Sequence, residues 1–204
     1  MNKILILLAG YPATGKTFLC RQIRGRHPEF EVVSQDAMKE ELWDTWGFDD
    51  IERKTELENM AWGEYYKVMD SKMSDNRCLI SDYPFSKKQK GTLEALSDKH
   101  GYQVVTIRLT GDIDTLYERS RLRDLDPSRH LGHLVSRYHK GDVMEDRSQA
   151  DCLVTYEIFR ERCTTRGYDT FCLGRLIEMD VTDFHKVDYG RILDEIDRCI
   201  IADK

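Results

Sequence analysis

The sequence predicts an α/β fold: one parallel, five-stranded sheet with helices on both faces. Three observations predict it. Short apolar runs alternate with longer amphipathic stretches, the pattern of parallel strands joined by crossover helices. The first run, Ile4 to Ala9, is apolar throughout, as a strand covered on both faces requires. A glycine-containing loop follows this run directly and opens a helix.

The elements follow in order. The first helix runs to about Arg26, because Pro28 forbids continuation. Glu31 to Ser34 reads as a second strand that ends just before Asp36. Leu57, Met60, Ala61, Tyr65 and Val68 share one face of a helix over about 50–72. Cys78 to Ser81 is a third strand ending at Asp82, after which Pro84 and the polar run Lys87 to Lys90 lead into another helix. Val104 to Leu109 is a fourth strand. Asp112 caps the next helix, whose apolar face carries Ile113, Leu116 and Tyr117. From about 125 to 149 the chain becomes polar, basic and weakly periodic, which suits a mobile lid better than a core element. A helix over about 150–165, a fifth strand Leu176 to Val181 and a closing helix marked by Ile192, Ile196 and Ile200 complete one domain spanning 1–204.

Bulk properties narrow the function. With 204 residues the chain holds one well-buried domain but hardly two. A net charge of −6 argues against a whole-surface grip on nucleic acid. Met1-Asn2-Lys3 ahead of Ile4 looks only faintly like a leader. Its apolar run is shorter than the usual length of about 7–15 residues and meets a glycine loop instead of a cleavage site. No segment approaches the roughly 20 apolar residues that span a bilayer. The six cysteines include no Cys-x-x-Cys pair and read as reduced thiols, which points to the cytoplasm. Oligomeric state is not legible.

Gly10-Tyr11-Pro12-Ala13-Thr14-Gly15-Lys16-Thr17 meets the Walker A pattern at every specified position. Gly10 and Gly15 permit backbone angles that a Cβ would oppose, so successive amides turn inward on phosphate oxygens. Those donors and the positive end of the helix dipole form an anion site, built from Pro12, Ala13 and Thr14 in the loop and Phe18 in the first turn. Lys16 reaches the β- and γ-phosphates, and the Thr17 hydroxyl ligates Mg²⁺. Chance would produce the pattern in roughly one chain in a hundred of this length. Its place after a buried strand makes this a P-loop NTPase fold with ATP and Mg²⁺ as cofactors.

Two further motifs accompany the loop: Ser34-Gln35-Asp36-Ala37-Met38-Lys39 after the second strand and Arg119-Ser120-Arg121-Leu122-Arg123 after the fourth. With them the chain resembles the nucleoside-monophosphate-kinase-like branch of P-loop proteins, and most of all the polynucleotide-kinase-like small kinases. The resemblance implies transfer of the γ-phosphate of ATP to a hydroxyl, on a small molecule or on a 5′-hydroxyl polynucleotide end. It implies Asp36 as general base, where the bland reading is a helix N-cap. It implies a Walker-B-like Asp82 holding Mg²⁺, where the bland reading is a turn-forming Asp. It implies Arg119 and Arg123 entering from the lid to neutralise the transferring phosphoryl group, where the bland reading is a solvated basic face.

These kinases usually have Arg three residues after the base. Lys39 stands there instead and cannot reproduce a two-pronged phosphate contact, which speaks against an acceptor with a phosphate beside its hydroxyl. Arg129 and Arg137 join the substrate-facing set because the stretch 119–140 is locally basic, with five Arg and one Lys against two Asp. His130, His133 and His139 lack a complete ligand set and read as solvated lid residues. Trp43, Trp46 and Trp62 either stack on a base or sugar or belong to the core.

A GTPase-like switch or a regulatory NTP-binding module without an acceptor is the competing reading. Its signatures are poor. His185-Lys186-Val187-Asp188 lacks the leading Asn of a guanine reader, and Asp98-Lys99-His100-Gly101 precedes a strand instead of following one. Residues 142–174 match no interpretable motif and are expected to shape substrate choice.

Overall fold

A computed structural model describes residues 3–201, and for Ile201 the backbone alone. The expected domain span of 1–204 and the leader-like Met1-Asn2 extend outside the described residues. Strands β1 (Ile4–Gly10), β2 (Glu31–Val32), β3 (Leu79–Asp82), β4 (Gln103–Thr110) and β5 (Arg175–Asp180) form one parallel sheet in the order β2-β3-β1-β4-β5. The helices are α1 (Lys16–Arg26), α2 (Gln35–Trp46), α3 (Ile51–Ser74), α4 (Lys87–His100), α5 (Ile113–Leu125), α6 (Tyr156–Thr165) and α7 (Tyr189–Ile201).

Side chains alternate across a strand, so β1 feeds two cores. Ile4, Ile6 and Leu8 face a cluster built with α1, α5, α6 and α7. Leu5, Leu7 and Ala9 face the other, built with α3 and α4. Every residue of β1 is buried, as its unbroken apolar run foretells. All six cysteines are thiols.

Several boundaries moved for identifiable reasons. Strand β2 is short because Ser34 caps α2, accepting from the Ala37 amide. That removes the capping alternative for Asp36, which sits in the first turn. Beyond β2, the Val33 carbonyl accepts from the Ser81 hydroxyl at 2.7 Å, and the Tyr65 hydroxyl meets Ser81 Oγ at 2.7 Å. The α3 face runs through Lys54, Leu57, Ala61, Tyr65, Met69 and Met73, whereas Met60 is exposed. Helix α6 starts at Tyr156 because Thr155 caps it. Asp112 caps α5 as expected, accepting from the Thr115 amide at 2.9 Å.

Residues 126–155, which take in most of the polar lid expected over about 125–149, carry a core of their own. Leu131, Leu134, Val135, Tyr138 and Ala150 pack with Trp43, Phe48 and Leu57 from α2 and α3. Phe48 and Tyr138 exchange two backbone hydrogen bonds of 2.8 Å in an antiparallel bridge. All three histidines are paired; His130 and His133 are also largely covered, whereas His139 stays about half exposed, as expected of a lid residue. His130 meets Asp44 (3.1 Å), His133 meets Glu40 (2.8 Å) and His139 meets Asp49 (3.1 Å). We call this stretch the strap.

Candidate active site

The carboxyl ends of β1 and β3, the start of α1, α2, the strap and the end of α6 enclose a cavity of about 510 Å³. Its floor is the loop after β1. Gly10 adopts φ 102°, and a Cβ there would sit 1.9 Å from the Leu109 carbonyl oxygen, which also accepts from the Tyr11 amide at 3.1 Å. Only glycine fits this crossing. Gly15, at φ 82°, begins α1 without a side-chain cap. Thr14 braces the loop by donating its hydroxyl to the Tyr11 carbonyl at 2.8 Å. Among the described residues the amides of Ala13, Thr14 and Gly15 have no protein acceptor. Uncapped amides at a helix start are an anion cradle.

Lys16 folds over this cradle, its Nζ 2.5 Å from the Tyr11 carbonyl and 3.2 Å from Thr14 Oγ1. Burial lowers its pKa to about 8, although the Asp82 charge pulls the other way. Thr17 donates to Asp82 Oδ2 at 3.0 Å, and the buried Oδ1 makes no hydrogen bond. Burial raises the Asp82 carboxyl above its ordinary value. A hydroxyl and a carboxylate with one unsatisfied buried oxygen fit a hydrated Mg²⁺, which uses few protein ligands. Among the described residues no cluster of three or more His, Cys, Asp or Glu offers a dedicated metal cage.

Asp36 reaches the cavity from α2 and pairs with Lys39 at 2.7 Å, leaving 40% of its side chain exposed. Burial would lift its carboxyl, but the Lys39 charge prevails and holds it well below the usual carboxylate range. The Lys39 Nζ also lies 5.6 Å from the Trp43 ring and 5.9 Å from the Tyr83 ring. Behind this pair, burial lowers His133 to about 4 despite its Glu40 hydrogen bond, so it is neutral at pH 7.

The expected arginines divide. Arg123 and Arg129 line the cavity and share Asp124, at 2.9 and 3.8 Å. Arg119 also lines it, yet its terminal nitrogens donate to the carbonyls of Val181 and Thr182, and its guanidinium lies 3.7 Å from the Phe184 ring centroid. Those contacts hold it at the β5 flank of the cavity. Arg137 lies outside the cavity, 72% exposed and paired with Asp49, because the strap carries it past the far end of α2. The Phe18 side chain is likewise outside, against Tyr189, and Gly10 lies beneath the loop. Trp43 is core, Trp46 is 61% exposed, and Trp62 packs on Tyr66 and Tyr83.

Sequence reasoning missed Tyr83, His133, Arg162, Arg166, Tyr168 and Phe184, all lining residues. Tyr83 and Phe184 follow β3 and β5, and the carboxyl ends of parallel strands are where ligands bind, so their positions were a usable signal. Arg162 and Arg166 share a helix face four residues apart, but nothing local says which way that face looks.

Among the described residues no helix is long and apolar enough to cross a membrane. Among curated proteins the chain finds no match. Of the solved structures, a protein described as a candidate kinase of Chloroflexus aurantiacus J-10-fl superposes with a TM-score of 0.73 at 24% identity, covering 97% of this chain and 98% of that one. A gluconokinase of Sinorhizobium meliloti 1021 gives 0.43 at 12% identity, covering 94% and 87%. At such identities the first shows a shared fold alone, and the second carries no argument. A family model described as an AAA domain matches residues 5–139, from β1 through α5 into the strap, and so takes in the loop, Asp36, Asp82 and the α5 arginines. By that match the chain belongs to the AAA domain family.

Proposed function

We propose that this chain is an ATP-dependent kinase that phosphorylates a hydroxyl group. The observation that carries the reading is convergence. The amide cradle with Lys16, the Thr17–Asp82 pair, Asp36 and two lid-side arginines all open on one cavity. The loop amides and Lys16 would hold the triphosphate. Thr17 and Asp82 would hold Mg²⁺, which supplies charge neutralisation at the phosphates. The bond between the γ-phosphorus and its bridging oxygen breaks, ADP leaves, and a new phosphorus–oxygen bond forms to the acceptor, whose proton passes to Asp36.

A carboxylate held so low is a weak base. Phosphoryl transfer proceeds through a loose transition state and asks for positioning more than for basicity. Asp36 therefore orients the hydroxyl and takes its proton late. Arg123 and Arg129 neutralise charge on the moving group. Arg119 and Phe184 form an apolar-cationic shelf suited to an adenine ring. The six thiols fit a reducing compartment, the cytoplasm.

The test is transfer of labelled γ-phosphate to a panel of 5′-hydroxyl oligonucleotides, nucleosides, sugars and other small alcohols. Lys16→Ala is expected to reduce turnover about 10²–10³-fold through lost phosphate stabilisation. Asp36→Asn is expected to leave MgATP affinity intact and cut transfer about 10²–10⁴-fold. Unchanged transfer in Asp36→Asn removes the base assignment.

A further inference from the structure

Charge in the cavity is unbalanced. Seven cationic side chains face two carboxylates, Asp36 and Asp82, and His133 is neutral at pH 7. A magnesium-bound triphosphate carries a net charge of about −2, which leaves much of that excess unmatched. Buried or half-buried cations are ordinarily paired.

The surplus has a location. Lys16 belongs to the loop, Lys39 to Asp36, Arg119 to the Val181 and Thr182 carbonyls, and Arg123 to Asp124; Arg129 comes no nearer to that same carboxylate than 3.8 Å, with its buried Nε unbonded, and adds to the surplus. The guanidinium of Arg162, half buried on α6, makes no hydrogen bond or ion pair with any described residue. The guanidinium of Arg166, one turn on and exposed at the rim, meets the Tyr168 hydroxyl at 3.4 Å and no carboxylate. Both line the cavity.

Their flank is defined too. The charge of Arg166 and the hydroxyl of Tyr168 are both felt at Tyr83, which follows β3. Tyr83 in turn faces the Lys39 ammonium that pairs with Asp36. Arg166 therefore opens on the Tyr83 flank of the cavity, which is also the flank of the proposed base, with Arg162 one turn before it. A donor nucleotide seated on the loop and the Arg119–Phe184 shelf would leave both for a second anion.

We propose that the acceptor is a small molecule bearing an anionic group, a phosphate or a carboxylate, that Arg162 and Arg166 bind while its hydroxyl meets Asp36. This rests on the kinase reading above and refines it. The anion lies away from the reacting hydroxyl, which agrees with a lysine at position 39. There a two-pronged guanidinium would have been the better reader of an adjacent phosphate. A guanidinium pair on one helix face offers the planar donors that phosphate and carboxylate accept.

The experiment separates this inference from the reading beneath it. With the loop saturated by the magnesium complex of a non-hydrolysable ATP analogue, titration with inorganic phosphate in a calorimeter is expected to reveal one further site. The Arg162→Gln/Arg166→Gln double variant should weaken that site at least about tenfold and leave analogue affinity within about threefold. Arg162→Lys/Arg166→Lys should recover part of the phosphate affinity, which a merely structural role would not give. In transfer assays, glycerol 3-phosphate and glycerate are expected to outperform glycerol, and ribose 5-phosphate to outperform ribose.

Absence of a second phosphate site on the analogue-bound protein overturns the inference and leaves the kinase reading standing. So does an unchanged site in the Gln double variant, or an equal loss of analogue affinity. Failure to bind the analogue at all overturns both. Preference for 5′-hydroxyl oligonucleotides over every small anion also overturns this inference, while supporting kinase chemistry.

Discussion

The phosphate loop and the strap solve the same problem, holding groups over one cavity, by opposite means. The loop is eight consecutive residues whose shape comes from the backbone: a glycine where β1 passes the Leu109 carbonyl, a second glycine opening α1, and a threonine hydroxyl bracing the turn. The strap is positioned by side chains gathered from far along the chain. Trp43 and Phe48 pack beneath it, three histidines reach acids on or after α2, and Lys54 donates to the Val135 carbonyl at 2.9 Å. One device tolerates no change in backbone angle. The other tolerates many single changes but depends on its packing.

Gly10→Ala should produce the largest effect and break the loop alone. Steric overlap with Leu109 and a left-handed backbone together cost about 3–5 kcal/mol, read as a lower denaturant midpoint with loss of MgATP binding. Trp43→Ala removes the centre of the strap core and should cost about 3–4 kcal/mol. Calorimetry on the protein that remains folded should find MgATP affinity within about threefold of wild type, and a larger loss would mean that the two devices are not separable.

The two halves are also expected to fail at opposite ends of the pH scale. An unfolded chain protonates its histidine near 6.5, whereas folded His133 waits until about 4. Stability is therefore complete above about pH 6.5 and drains as pH falls toward 4, by about 1–3 kcal/mol, in pH-dependent urea melts. His133→Gln should flatten that slope. At the loop, Lys16 loses its proton as pH rises through about 8. Bound phosphates would hold that proton, so MgATP affinity should be level below 8 and fall by up to about tenfold per unit above it. Smallest of all, Arg137→Gln should change stability by less than about 0.5 kcal/mol and leave transfer unaltered, since its exposed pair with Asp49 lies outside the cavity.

The same contrast explains what the sequence disclosed. The loop is contiguous, so its glycines, Lys16 and Thr17 were readable directly, and so were the acids that end apolar strands. Strands β1, β3 and β4 were legible because each carries a short buried apolar run, while β5 alternates buried and exposed residues and β2 is only two residues long. The strap was not legible, because its core is made of Leu131, Leu134, Val135 and Tyr138 spaced without helical or strand period among charges. Arg162 and Arg166 were missed for a related reason: which helix face looks into a cavity is decided by what packs behind it, here Phe159 and Cys163 against the sheet.

The Ser81 hydroxyl sits one residue before Asp82 and fastens the Val33 carbonyl, three residues before Asp36, with Tyr65 locked on from α3. The separation of the two acids that meet over the loop is thus set by a rivet that no ligand can see. Reactivity at this centre can be retuned from underneath, and a survey confined to residues that touch a bound molecule would overlook the part that keeps its gauge.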